Sequence, residues 1–178
     1  DFGDATHPWV DVDGAAGTAQ ATAHLLASAG ERVAFLGWPA GSGQGDERER
    51  GWRETLASAG RTGLRLTGEN DVAQARAIVH GVLRDGPEAI DAIVCSSDSL
   101  AVGAHLAAVD AGRPSLSIIG FDNTPVAEAL GLPSVEQFPE QVAAGAVELL
   151  LGSGGSEVLP PVDREHRHVL VEPRLVLR

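Results

Sequence analysis

Short, largely apolar runs alternate with longer stretches whose apolar positions recur every three or four residues. The runs at 32–36 (RVAFL), 92–95 (AIVC) and 116–121 (LSIIGF) are too short for helices and read as strands buried on both faces. A weaker strand is expected at 64–67. The stretches 18–29, 46–59, 72–83 and 99–111 have helical spacing; in the second, Trp52, Leu56 and Ala59 fall on one face. Three of these helices end in Ala-Gly (29–30, 59–60 and 111–112), and glycine readily takes the left-handed conformation that stops a helix. Ser97 or Asp98 is placed to cap the helix at 99. Strand, helix and strand in steady succession predict an α/β fold, a parallel sheet flanked by crossover helices.

The rhythm breaks after residue 121. Gly131-Leu-Pro133 reads as a crossing point, 140–151 as one more helix, 152–161 (GSGGSEVLPP) as a flexible turn or linker, and 168–171 and 174–177 as short terminal strands.

Composition narrows the class. The chain has 178 residues, 43% of them hydrophobic and 21% charged, which suits one domain with a real core. Its net charge is −12, and all thirteen basic residues are arginine. Phosphate backbones are bound through cations, so this surface is not expected to hold DNA or an anionic membrane. The single cysteine, Cys95, excludes a disulfide framework and fits a reducing cytoplasm. No apolar run approaches a membrane span and no secretory signal is visible. The chain starts at Asp1 rather than Met, so removal of an N-terminal portion is expected.

In open parallel sheets, ligands bind beyond the carboxyl ends of the strands. The segments there are 37–39 (GWP), 68–70 (GEN), 95–98 (CSSD) and 120–123 (GFDN), with the arginine-rich start of the helix at 46 nearby. Carboxylates, hydroxyls, an amide, an aromatic face and an arginine fork suit a small polyhydroxylated ligand, with sugar as the first choice. Each residue also has a plainer reading: Asp98 as a helix cap, Asp122 as a turn residue, Arg48 and Arg50 as a solvated helix face, Trp52 as core. The 41–45 loop (GSGQG) lacks the phosphate-loop pattern, and Asp46 and Glu47 behind it would repel a phosphate. Chemistry finds little support. The histidines at 7, 24, 80, 105, 166 and 168 show no metal spacing, no GxSxG elbow occurs, and Cys95 reads as a buried apolar thiol. Asp11 and Asp13 share a strand face but enclose no common pocket. The expectation is a binding protein, not an enzyme, with no cofactor.

An ordered set of motifs carries a resemblance. Val94-Cys-Ser-Ser-Asp-Ser-Leu-Ala-Val-Gly103, then Gly112-Arg-Pro114 and Ser117-Ile-Ile-Gly-Phe-Asp-Asn123, resemble the second half of LacI/GalR-family effector-binding domains. Val10-Asp-Val-Asp13 with Gly17 and His24-Leu-Leu, Arg32-Val-Ala-Phe-Leu-Gly37, Arg48-Glu-Arg-Gly-Trp52, Leu132-Pro-Ser-Val-Glu-Gln137 and Glu172-Pro-Arg-Leu-Val-Leu-Arg178 continue the likeness in order along nearly the whole chain. The resemblance implies a type I periplasmic-binding-protein-like fold, mainly its C-terminal subdomain. Residues 1–12 would be a remnant of the N-terminal subdomain, 13–133 the C-terminal subdomain, 134–161 a helix and linker returning to the first, and 162–178 terminal strands of the second. Val142, Leu149 and Leu150 would then lack their usual partners.

It implies effector contacts for Arg48 and Asp122, with Ser97 where relatives carry a ligand-binding Asn, Asp98 beside it, Phe2 as an aromatic plate and Ser42 on a loop that reaches the ligand. The implied protein is a cytoplasmic, homodimeric transcriptional regulator, a repressor, that senses a small carbohydrate effector. It would meet operator DNA only through a head absent from this chain. The alternative on the same fold is a periplasmic sugar-binding protein of a transport system; an α/β enzyme ranks last.

Overall fold

The computed structural model describes residues 8–86, 89–151 and 168–178. The elements are β1 (Trp9–Val12), α1 (Gly14–Ser28), β2 (Val33–Gly37), α2 (Gln44–Ser58), β3 (Arg65–Thr67), α3 (Val72–Asp85), β4 (Ala92–Cys95) and α4 (Asp98–Asp110). They continue as β5 (Ser117–Phe121), α5 (Pro125–Ala129), β6 (Ser134–Glu136), α6 (Pro139–Leu151), β7 (His168–Val171) and β8 (Arg174–Val176). The main sheet has the order β3-β2-β4-β5-β6-β8. Its strands are parallel except β8, which runs antiparallel to β6.

Strand alternation sorts the core into two layers. Val33, Phe35, Ala92, Val94, Ile119, Phe121 and Val135 face Ala21, Leu25, Trp52 and Leu56 of α1 and α2. Ala34, Leu36, Ile93, Cys95 and Ile118 face Ala75, Val79, Leu83, Leu100, Ala104 and Ala107 of α3 and α4. Both faces are covered, which explains why these strands are apolar throughout. Ala59 departs from expectation. It is the exposed C-cap of α2, not part of the Trp52–Leu56 face.

The first helix begins at Gly14, four residues before its predicted start, because Asp13 leaves the strand and its carboxylate accepts from the Ala16 N–H at 2.8 Å. Asp11 and Asp13 therefore do not act as a pair on one strand face. The glycines of this first turn oppose helix propensity but are required by packing. A Cβ on Gly17 would lie 2.8 Å from both Phe121 and Val135. Helix α2 starts at Gln44, where the Asp46 carboxylate gathers the N–H groups of Gly41 (3.0 Å) and Gly43 (3.3 Å).

The sharpest contact between helices is α1 on α2. A Cβ on Gly51 would sit 2.1 Å from the Ala15 carbonyl oxygen and 2.4 Å from Thr18 Oγ1. Backbone atoms cannot step aside, so Gly51→Ala is expected to destabilise the protein by about 2 kcal/mol or more. Urea unfolding measures this; a change below about 0.5 kcal/mol would mean the helices part freely.

Past residue 123 the structure corrects several expectations. The chain does not leave the sheet at Gly131-Leu-Pro133. Gly131, at φ 66°, turns it from α5 into β6, which pairs with β5. The crossing comes after Glu136, where Phe138 takes φ 52°. Neither α5 nor β6 is legible beforehand, since both are too short for a periodic pattern. The terminal strands also part company. β7 pairs with β1 in a separate two-stranded parallel sheet, Trp9 opposite His168 through Val12 opposite Val171, and only β8 joins the main sheet. Pro173, between them, has no N–H to continue a ladder. Helix α6 packs on β1 and β7. There Val142 rests against the α1–α2 layer and Leu149 is half-buried, while Val147 is 52% exposed. The predicted linker at 152–161 lies outside the described residues, as does the side chain of Leu150.

Candidate functional site

The carboxyl ends of β2, β4, β5 and β6 meet the first two turns of α2 at one edge of the main sheet. Arg48 occupies the centre at 4% exposure. Its guanidinium lies 3.8 Å from the Phe121 ring centroid and 5.4 Å from that of Trp38, so two aromatic faces hold it. Nη1 donates to the Ser96 carbonyl at 2.5 Å and reaches Asp122 Oδ1 at 3.5 Å; Nη2 reaches Gln137 Oε1 at 3.5 Å. The backbone is pinned as well, with Thr18 Oγ1 donating to the Arg48 carbonyl at 2.6 Å. Burial depresses the Arg48 pKa while Asp122 and Asp11 oppose the fall. An arginine so placed remains charged.

Asp122 follows β5 directly and takes φ 111°, an uncommon conformation outside glycine, with Asn123 beside it at φ 50°. The turn is held by Asp122 N–H on the Val135 carbonyl at 2.9 Å and Asn123 N–H on Ser134 Oγ at 3.0 Å. The carboxylate accepts from Gln137 Nε2 and keeps 31% of its side chain exposed. Burial pushes its pKa up to about 6; Arg48 pulls it down and Asp98 adds to the rise. Trp38 Nε1, Arg48 Nε and Ser96 Oγ, all buried at this edge, have no hydrogen-bond partner. Unsatisfied buried donors are uncommon in native folds and gather where a site takes something up.

The other predicted residues lie around this centre. Ser97 caps α4, accepting from the Leu100 N–H at 3.3 Å, and donates to Asn70 Oδ1 at 2.6 Å. The amide it holds comes from the loop after β3. Asp98 is 1% exposed and turned inward, with Oδ2 accepting from Thr124 N–H (2.6 Å) and Oγ1 (2.8 Å) and Oδ1 from Ser134 Oγ (2.6 Å). It fastens the turn that carries Asp122 and does not open onto the edge. Ser42 is exposed on a neighbouring groove bounded by Asp11, the 41–43 loop and the start of α2. Phe2 lies outside the described residues. Sequence reasoning missed Gln137, which bridges Arg48 and Asp122, and the clamp of Trp38 and Phe121. Gln137 closes a motif that resembles the family, but only the pairing of β6 brings it over Asp122. Among the described residues, no group of three or more His, Cys, Asp or Glu could hold a metal, and no helix is long and apolar enough to cross a membrane. Cys95 is wholly buried and its thiol pKa is driven upward, which fits an apolar thiol.

A parallel sheet with both faces covered and a clamped arginine and carboxylate at its carboxyl edge is the arrangement of an α/β small-molecule-binding domain. The chain belongs to the family described as periplasmic binding proteins and sugar binding domain of the LacI family, whose model matches residues 3–174. It is 30% identical over 149 residues to the ribose operon repressor of Halalkalibacterium halodurans, covering 81% of this chain and 45% of that protein. It is 27% identical over 159 residues to the D-allose-binding periplasmic protein of Escherichia coli, covering 85% of this chain and 51% of the other. A LacI-family regulatory protein from Chloroflexus aggregans superposes with a TM-score of 0.83 at 33% identity, over 96% of this chain and 62% of that one. The chain spans about half the length of the curated relatives it matches. Those relatives are regulators and sugar-binding proteins rather than enzymes.

Proposed function

We propose that this chain is the larger part of the effector-binding region of a LacI/GalR-type transcriptional regulator, not an enzyme, and that it senses a small carbohydrate. The observation that carries the reading is the Arg48–Asp122 pair: a buried, aromatic-clamped cation beside a half-exposed carboxylate on a strained turn. Effector hydroxyls would be accepted by Asp122 and donated to by the amides nearby. Ser97 would act through Asn70, and Ser42 and Phe2 would approach from loops. Residues 1–12, α6 and β7 would belong with the first lobe, since β7 pairs with β1 and α6 packs on both, and closure of the lobes on the effector would shift the affinity of a DNA-binding head for its operator. The protein would work as a homodimer in the cytoplasm.

The test is release of intact protein from the DNA upstream of its own gene, followed across a panel of sugars. Asp122→Asn should keep the fold and weaken the response to the active sugar by about a hundredfold, because a charged acceptor is lost. Affinity of the unmutated protein should fall between pH 7.5 and 5, as Asp122 takes up a proton near pH 6. The sign for stability is opposite. The native carboxyl holds its proton to higher pH than the unfolded one, so this group stabilises the fold below about pH 4 and that contribution is lost as pH rises through 6. Loss of binding on acidification is therefore not unfolding driven by Asp122. Operator affinity indifferent to every sugar that binds would remove the regulator reading. The alternative, a transport sugar-binding protein, draws on the D-allose-binding relative. The coding region upstream of Asp1 separates the two: a basic helix-turn-helix marks the regulator, a secretion signal the transport protein.

A further inference from the structure

We infer that this site selects uncharged sugars and rejects their phosphate esters and uronic acids, an inference that rests on the sugar-binding reading above. The argument begins with Arg48, the cation at its centre. Its fork is occupied from within: Nη1 serves the Ser96 carbonyl and Asp122, and Nη2 points to Gln137. Recognition of a phosphate or carboxylate by arginine uses two parallel N–H groups on one edge. Nε has no partner and Nη2 makes one long contact, but the side chain is 4% exposed, and the space it borders between Asp11, Gly14, Gln44 and Glu47 is about 10 Å³, too small for a phosphate. Arg48 thus orders the site and presents no exposed edge to an anion.

Two other arginines of this rim, Arg65 and Arg50, are likewise engaged. Arg65 bonds Glu49 at 3.0 Å and the Leu66 carbonyl at 2.7 Å, and Arg50 is drawn to Glu47 at 2.5 Å. Arg174 lies over Phe138, with Glu136 opposite it in the β6–β8 ladder. The carboxylates are not matched in the same way. Asp11 accepts from the Gln44 amide at 3.4 Å and the Val12 N–H at 2.7 Å, and Asp46 from the backbone of Gly41 and Gly43. Those partners are neutral, and the cation that Asp11 feels, Arg48, is shared with Asp122, so the carboxylates of the groove and the edge outnumber it. An effector carrying its own anion would enter against this field, and like charges in a partly desolvated cleft are a strong means of rejection.

The test is titration calorimetry on the intact protein at low salt with matched pairs: D-ribose and ribose 5-phosphate, D-allose and allose 6-phosphate, D-glucose with glucose 6-phosphate and glucuronate. The expected result is that the uncharged member of the binding pair is preferred by at least about thirtyfold. The ratio should shrink several-fold in Asp11→Asn and again at high salt, because both reduce the field. A phosphate ester bound as tightly as its parent sugar, or more tightly, overturns the inference and leaves the sugar-binding reading standing. A ratio insensitive to Asp11→Asn and to salt overturns it too, since steric exclusion would then explain the preference. If no sugar binds, charged or uncharged, both fall.

Discussion

Arg48→Ala is expected to abolish effector binding and to cost the fold about 3–5 kcal/mol, the range for breaking a buried charge pair by removing one partner. The side chain is 4% exposed, so its loss leaves a cavity between Phe121 and Trp38 as well as an Asp122 carboxylate without its counter-charge. Arg48→Lys separates the two effects. An ammonium group fills much of the space and keeps the charge, but it has no flat face for Phe121 and cannot serve the Ser96 carbonyl, Asp122 and Gln137 together. The lysine variant should melt within a few degrees of the unmutated protein yet bind its sugar about a hundredfold more weakly. Calorimetry and a thermal melt on the same samples decide the matter. Normal affinity in Arg48→Lys would reduce Arg48 to a packing residue and move the site elsewhere.

Asp98→Ala is expected to lower the melting temperature by about 10 °C, corresponding to roughly 3 kcal/mol in a protein of this size. One carboxylate, 1% exposed, receives the Thr124 N–H, the Thr124 hydroxyl and the Ser134 hydroxyl. Bonds to a charged acceptor are worth more than neutral ones, and the alanine variant leaves buried donors unsatisfied. The neighbourhood is built for that carboxylate, since a Cβ on Gly120 would lie 2.1 Å from Asp98 Oδ1. Effector binding should weaken as a consequence, because the network fastens the 122–124 turn and so sets where Asp122 stands. A variant that melted normally but lost the sugar would show direct contact instead, against the inward geometry seen here.

These two residues show how far the chain can be read unaided. Position puts Arg48 and Asp122 at the edge where a parallel sheet binds ligands but leaves a solvated helix face and a turn residue as readings; it is the resemblance to LacI/GalR effector-binding domains that singles both out. Asp98 comes forward for the same reason, and the sequence leaves its capping and binding roles open. The structure turns it inward onto Thr124 and Ser134, partners 26 and 36 residues away. Gln137 closes a family-like motif that does not assign it to the site, and its place over Asp122 depends on a three-residue strand that exists only because β5 and β8 flank it.

What the sequence determined by itself is local and repetitive. Apolar runs specify β2, β4 and β5, and Ala-Gly stops end three of the helices beside them, since burial on two faces and the left-handed stop leave direct marks in residue type. Tertiary structure alone decided the start of α1 at Gly14 and the short α5 and β6. It also decided the division of β7 from β8 between two sheets and the clamp that seals the Arg48 fork. Each of these is settled by pairing or packing between segments distant along the chain, and the free energy that selects them appears only when those segments meet.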